Sequence, residues 1–409
     1  ILSIINKIRY KLKNIGPASV IAAAFIGPGT ITMCSVAGAK FGYSLIWALF
    51  ISILLTLFIQ LMAIRIGINT KKSLSVLVRE QFENKILKYV SILLVISAIF
   101  IGNTAYEAGN ISGAVMGAEL LFNKKLVYNN VNIFSVCCGF LAFLLIAFGN
   151  NRSLEKVLIF LVLIMSFSFV FTVFIVGIDF QSLFSFSNFF HFPSESILIV
   201  AGLIGTTVVP YNIFLHVALV NSKWKNVNDI NTANFDTIIS ISIGGLISLC
   251  ILLTAAGLNK SDILNAVDLA NSLEPLYGNF SKLIIALGLF SAGLTSSITA
   301  PLAAAYVLCG CLGFESDRKS VFFRFISIIV LVIGVISSSL GISSIEIIKF
   351  AQITNGILLP LIVIFLMILA NNSKLLKNQI NSIVQNLIGV LVIGFCLLLC
   401  VRSVIKVFF

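Results

Sequence analysis

Ala22-Ala23-Ala24-Phe25-Ile26-Gly27-Pro28-Gly29-Thr30 and Gly205-Thr206-Thr207-Val208-Val209-Pro210-Tyr211-Asn212 are the two stretches that decide the fold. Each lies inside a long apolar run, and each places a proline where a spanning helix needs a backbone donor. Proline has no N–H and clashes with the preceding turn, while Gly27 and Gly29 lower the cost of unwinding. Backbone opened at membrane depth survives only where it lines a cavity or is buried in protein. Either break alone reads as well as a packing kink. Two breaks at corresponding places in two halves of one chain read as a binding site between inverted repeats.

The rest of the sequence agrees with a membrane setting. Of 409 residues, 59% are hydrophobic and 10% charged, against roughly a quarter charged in an ordinary soluble domain. Apolar segments fall at about 17–39, 44–68, 87–122, 131–149, 154–178, 195–221, 235–258, 276–311, 321–341, 347–371 and 383–407. A helix needs roughly 20 such residues to cross the hydrocarbon core. The expectation is a single transmembrane domain over 1–409, all-α and integral to the membrane. It holds a five-plus-five inverted repeat, 17–178 and 195–371, with an eleventh helix at 383–407. The Phe- and Ser-rich stretch Asp179 to Ser196 carries no Lys or Arg and joins the two halves as an outer interfacial loop.

Charge sets the orientation. With the N-terminus cytoplasmic and the C-terminus external, 19 of the 27 Lys and Arg residues fall inside, among them Lys7, Arg9, Lys71, Lys72, Lys223, Arg318 and Lys374. Such an excess marks the cytoplasmic face, here the plasma membrane of a prokaryote. The net charge of +12 is dispersed over membrane-flanking loops. It points to lipid as the partner, not to nucleic acid. Eight cysteines lie in apolar segments as small hydrophobes, without zinc spacing. No Walker loop, dinucleotide fingerprint, His-Glu-x-x-His or triad is present, and two histidines leave little for catalysis, so the chain reads as no enzyme and needs no cofactor. A monomer is expected.

Three stretches carry a resemblance. Gly16 to Trp47 (GPASVIAAAFIGPGTITMCSVAGAKFGYSLIW), Thr207-Val208-Val209-Pro210-Tyr211-Asn212-Ile213-Phe214-Leu215-His216, and Ala292-Gly293-Leu294-Thr295-Ser296-Ser297-Ile298-Thr299 resemble the Nramp divalent-metal transporters over nearly the whole chain. The resemblance implies the leucine-transporter fold. In that family the first break reads Asp-Pro-Gly-Asn and the second Met-Pro-His, with Asp, Asn and Met holding manganese or iron. Here Gly27, Thr30 and Val209 replace all three, so no transition-metal site of that type is expected.

Backbone, the hydroxyls of Thr30, Thr206 and Thr207, the Tyr211 phenol and the Asn212 amide remain at the breaks. A bare divalent ion normally asks for a carboxylate, whereas helix N-termini near Gly29-Thr30 and Tyr211-Asn212 suit an anion. The leading expectation is therefore a secondary active, alternating-access transporter of a small inorganic anion, bicarbonate first, with Gly27, Gly29, Thr30, Thr206, Thr207, Val209, Tyr211 and Asn212 as its site. The coupling ion expected is sodium, held by Thr295, Ser296 and Ser297 of segment eight together with Ala24 and Gly27; the same hydroxyls read nearly as well as packing groups. The alternative is a proton-coupled divalent cation transporter for manganese or hydrated magnesium. A degenerate, sensing relative is a further reading of Gly27 and Val209. Glu107 and His216 match members of the family's proton route, but Asn110 stands where a second carboxylate would be and Tyr211 where a second histidine would be, so buried packing roles compete. Gln352 and Asn355 of segment ten face the central cavity or serve as interhelical glue.

Overall fold

The computed structural model describes residues 16–17, 26–148, 152–179, 193, 195–224, 226–258 and 262–408. The first half of the chain forms α1 (Pro28–Phe41), α2 (Ile46–Thr70), α3 (Leu74–Glu80), α4 (Lys85–Phe122), α5 (Ile133–Phe148) and α6 (Arg152–Val176). The second half forms α7 (Ile197–Thr207), α8 (Pro210–Lys223), α9 (Ile230–Gly257), α10 (Ala266–Asn271), α11 (Glu274–Tyr277), α12 (Ser281–Leu312), α13 (Val321–Ser339), α14 (Ser344–Ala370), α15 (Ser373–Leu376) and α16 (Ile383–Phe408). Among the described residues, nine helical stretches are long and apolar enough to cross a membrane. One of them, Pro28–Thr70, covers two expected segments, and Ile133–Phe148 is a shorter apolar helix. Among the described residues the apolar segments are thus helices, while 18–25 of the first segment and most of the outer loop expected at 179–196 lie outside the described residues.

Local chemistry sets the ends. The Asn84 side chain accepts from the N–H groups of Ile86 and Leu87 to start α4, and Asn123 at φ 49° closes it. Ser343 accepts from Glu346 N–H to start α14, and Gly313 at φ 85° stops α12. These are ordinary caps for the orphan groups at helix ends. One departure from an all-α reading is a two-stranded hairpin, with Val127 opposite Asn132 and Tyr128 opposite Val131. Its turn residues Asn129 and Asn130 both take positive φ, 47° and 62°, the twist that tight hairpins favour.

Helix α4 runs through the centre, packed on α12, α14 and α13. A Cβ at Gly293 would strike the backbone of Asn110 and Ala114, and one at Gly117 would strike that of Ala286 and Phe290. Glycine therefore draws α4 and α12 together, as small residues do between membrane helices. Helices α7 and α14 approach in the same way, with Gly205 against the Gln352 carbonyl and Gly356 against the Ala201 carbonyl.

A candidate ion site between two broken segments

Segment six is interrupted as its sequence demands. Helix α7 ends with Val208 N–H donating to the Ile204 carbonyl at 2.8 Å. Val208 (φ −102°, ψ 72°) and Val209 (φ −79°, ψ 120°) then leave the helix. The residue before a proline is driven from the helical region, and Pro210 opens α8 at its first position. Having no N–H, Pro210 leaves the Thr206 carbonyl four residues back without its helical donor. Pro28 starts α1 in the same way, with Gly27 extended at φ −99°, ψ −174°. Ala24 lies outside the described residues.

The two breaks meet. Thr30 Oγ1 and Thr206 Oγ1 are 2.8 Å apart and buried. Helix α14 supplies a third wall, because the Gln352 carboxamide lies directly on Gly29, where any Cβ would collide with it. Helix α4 supplies a fourth: the Pro28 ring packs on Gly113, and the Tyr106 and Tyr211 rings meet edge to face at 5.5 Å. Around this junction several buried polar atoms have no protein partner, namely Tyr211 Oη, both ends of the Asn212 amide and Gln352 Oε1. Val209 contributes a buried apolar wall. Thr207 differs from its neighbour, since its hydroxyl bonds back to the Leu203 and Ile204 carbonyls of its own helix at 3.2 and 3.1 Å.

The other predicted residues lie on α12, α4, α8 and α14. Thr295 bonds back to Ser291 and Ala292 carbonyls, and Thr299 to Thr295. Ser297 Oγ is buried without a protein partner, near the Glu107 carboxylate. Glu107 is fully buried; Asn110 Nδ2 donates to its Oε2 at 3.4 Å, its Oε1 is unpartnered, and its Cγ packs on Gly334 of α13. His216 is held by α2, with Nδ1 2.7 Å from Gln60 Oε1. Asn355, one turn beyond Gln352, has both amide atoms unpartnered and lies against Gly102 of α4. Sequence reasoning missed Gln60 and the Tyr106–Tyr211 pair; an amide and phenols within apolar segments were the available signal.

Among the described residues no group of three or more His, Cys, Asp or Glu gathers to hold a metal. The donors at the junction are hydroxyl, phenol, amide and carbonyl oxygens. A membrane protein in which the break of segment six meets the start of α1 at a buried polar junction fits the class of secondary transporters with the leucine-transporter architecture. Solved structures bear out that fold. A histidine-to-alanine mutant of the Eremococcus coleocola manganese transporter superposes with TM-score 0.76 at 18% identity, covering 97% of this chain and 86% of that one. The nucleobase-cation symporter Mhp1 does so at TM-score 0.53 and 14% identity, over 96% of this chain and 90% of that one.

The family model for natural resistance-associated macrophage protein-like proteins matches residues 18–406, and the chain belongs to the Nramp family. Among its relatives are the divalent metal cation transporters MntH of Caldanaerobacter subterraneus subsp. tengcongensis and of Yersinia pestis. The first is 24% identical over 403 residues, 95% of this chain and 91% of the relative. The second is 26% identical over 398 residues, 94% and 93%.

These relatives overturn the expectation of a sodium-coupled bicarbonate carrier. The physical reason lies at the break. The anion reading counted the positive N-terminal ends of α1 and α8 and left out the negative C-terminal end of α7, which presents the Thr206 carbonyl to the same place.

Proposed function

We propose that this chain carries a hard divalent cation, magnesium or manganese, across a prokaryotic plasma membrane by alternating access, with protons as the driving ion. The observation that carries the reading is the buried meeting of the breaks at Thr30 and Thr206, ringed by the unpartnered oxygens of Tyr211, Asn212 and Gln352. Membership of a family whose relatives are named divalent metal cation transporters supplies the substrate class. The ligand chemistry narrows it. With Val209 in place of a thioether, nothing soft remains to favour late transition metals. With Gly27 in place of a carboxylate, the ion keeps part of its water shell, which magnesium does readily, and the amide and hydroxyl oxygens hold it partly through that water. Glu107, a buried carboxylate with one free oxygen, is the group proposed to take up the proton. Segments one and six, with the bundle they belong to, rock against a scaffold formed largely by segments three, four, eight and nine and so expose the site to each side in turn, from an N-terminus on the cytoplasmic side.

The test is transport by the full chain in vesicles. Magnesium or manganese influx, followed with an internal metal-sensitive dye, rises with an inward proton gradient and is indifferent to sodium. A preparation that takes up neither metal under any gradient sinks the reading. Substituting Glu107→Gln fixes the group in its neutral form, so metal influx loses its dependence on pH while binding persists; retention of full pH dependence removes Glu107 from the route.

A further inference from the structure

The hairpin between α4 and α5 has two unlike faces. Its ladder pairs Val127 with Asn132 and Tyr128 with Val131, and the Ile133 N–H donates to the Leu126 carbonyl at 2.8 Å, which adds one more rung. Side chains alternate along a strand, so Leu126, Tyr128, Val131 and Ile133 share one face. All four are exposed, at 42, 70, 41 and 39%. The opposite face holds Lys125, Val127 and Asn132, and the Asn132 amide donates to Glu119 Oε1 at 2.8 Å. Polar Asn129 and Asn130 make the turn. The hairpin thus has one wholly apolar face that the described residues leave open.

What covers that face follows from where it lies. Helix α4 is long and apolar enough to cross a membrane and ends at Phe122, so the hairpin sits at the end of a span. Ile133 belongs to two surfaces at once. It closes the hairpin face, and it opens the stripe Ile133, Val136 and Phe140 along α5, spaced as one side of a helix and exposed at 39, 49 and 59%. In a chain of spanning helices such a stripe is turned to lipid, and the apolar face of the hairpin continues it. A two-stranded hairpin is marginal in water on its own, and a bilayer supplies the layer it lacks. Charge selects the lipid: Lys124 and Lys125 precede the first strand and are exposed, while the neighbouring acid, Glu119, is engaged by Asn132. Tyrosine rings rest at headgroup level, and lysines lay their methylenes along apolar surface while the ammonium reaches outward.

We propose that this hairpin is a membrane-interface anchor: the face of Leu126, Tyr128, Val131 and Ile133 lies at the boundary between headgroups and acyl chains, and Lys124 and Lys125 bind the phosphates of acidic phospholipid. On the orientation proposed above, the leaflet is the outer one. The anchor holds the connection between segments three and four of the scaffold at a fixed depth while the bundle of segments one and six rocks. Lipid binding of this kind needs neither metal nor transport, so it stands or falls apart from the proposed cargo.

Tryptophan fluorescence of the full chain in vesicles tests the anchor, with the wild-type emission of Trp47 and Trp224 subtracted. In Tyr128→Trp the added emission is quenched by phospholipid brominated near the top of its acyl chains and resists iodide supplied on both sides of the membrane. Val127→Trp, on the opposite face, shows the reverse order. Equal quenching of the two variants by both agents, or stronger iodide quenching in Tyr128→Trp, overturns the proposal. Emission in Tyr128→Trp that brominated lipid leaves untouched, and that loses its protection from iodide as protein is diluted into more lipid, assigns the face to a second copy and overturns it too. The headgroup is read in the Tyr128→Trp background, where brominated phosphatidylglycerol quenches more strongly than the same fraction of brominated phosphatidylcholine. A lysine near an anionic surface favours it by about fivefold. The preference falls by about that factor in Lys125→Gln and vanishes when Lys124→Gln is added. A preference that survives the double substitution, or that is absent before it, overturns the assignment of acidic lipid to these lysines.

Discussion

Two clusters of side-chain amides in this molecule are in opposite states. Near the centre, Gln352 Oε1 and the whole amides of Asn212 and Asn355 are buried and unpartnered. Where α16 begins, Asn371 and Asn386 exchange two hydrogen bonds at 2.9 and 2.8 Å, and Asn381 donates to Asn386 at 3.0 Å. Arg65 of α2 joins them, donating to Gln385 at 2.9 Å and also to Asn381. The same functional group serves two purposes. Saturated amides fix the eleventh helix to α2 and α14, whereas unsaturated ones carry a desolvation cost that an incoming ligand relieves.

The largest effect is expected from removing one of the unsaturated amides. Gln352→Leu keeps the approximate volume and deletes an acceptor that nothing in the protein uses. Metal influx in vesicles falls about 100-fold, as expected if about 2–3 kcal/mol of ligand interaction is lost. The thermal midpoint of the purified protein holds or rises, because an unpaired buried group has gone. A fall in the midpoint with influx intact would make Gln352 structural glue and erase the contrast. Gly29→Ala approaches the same test from the other side, since its Cβ displaces the Gln352 carboxamide without altering it.

The saturated cluster gives the reciprocal result. Asn386→Leu removes the exchange with Asn371, an exposed residue that turns to water, and the bond from the buried Asn381 amide. Stability falls by about 1 kcal/mol, seen as a lower midpoint in thermal unfolding. Influx below that midpoint stays within about threefold of wild type. Influx that collapses while the midpoint stays put would place this cluster in the transport cycle.

How much of this was legible in the sequence follows from how local each signal is. Pro28 and Pro210 act on their own backbones, so both breaks were readable from residue type. The helical segments were readable because a hydrocarbon core imposes a length. The hairpin at 127–132 was not, since Val127-Tyr128 and Val131-Asn132 sit at the edge of an apolar segment and only Asn129-Asn130 marks the turn. Contacts between distant elements were invisible: Thr30 with Thr206, His216 with Gln60, Asp236 with Gly16. The hydroxyls of segment eight shared a stretch of sequence, yet Thr295 turned back on its own helix and Ser297 lies near Glu107. The charge at the break was misjudged because the carbonyl end of α7 was left out, although Pro210 alone announces it.

The smallest expected effect comes from the membrane-flanking surface, where a carboxylate has what Glu107 lacks. Glu80, at the end of α3, lies 2.7 Å from the Lys72 ammonium and 3.6 Å from Arg79. The hydrogen bond from Lys72 is the main cause that holds its carboxyl below the ordinary carboxylate range, with both cations adding Coulomb attraction. A depressed value in the folded state means stabilisation that is present above the unfolded value and is lost as pH falls through the folded one. Both side chains are well exposed, at 51% and 40%, so solvent and salt screen the pair to about 0.5 kcal/mol or less. Lys72→Met therefore lowers the thermal midpoint slightly at pH 7 and not at all at pH 3 or in about 1 M salt, where the Debye length is about 3 Å. A loss that persists at pH 3 would show that Lys72 acts through packing of its methylene chain, and the charge contrast between the surface and the core would lose this example.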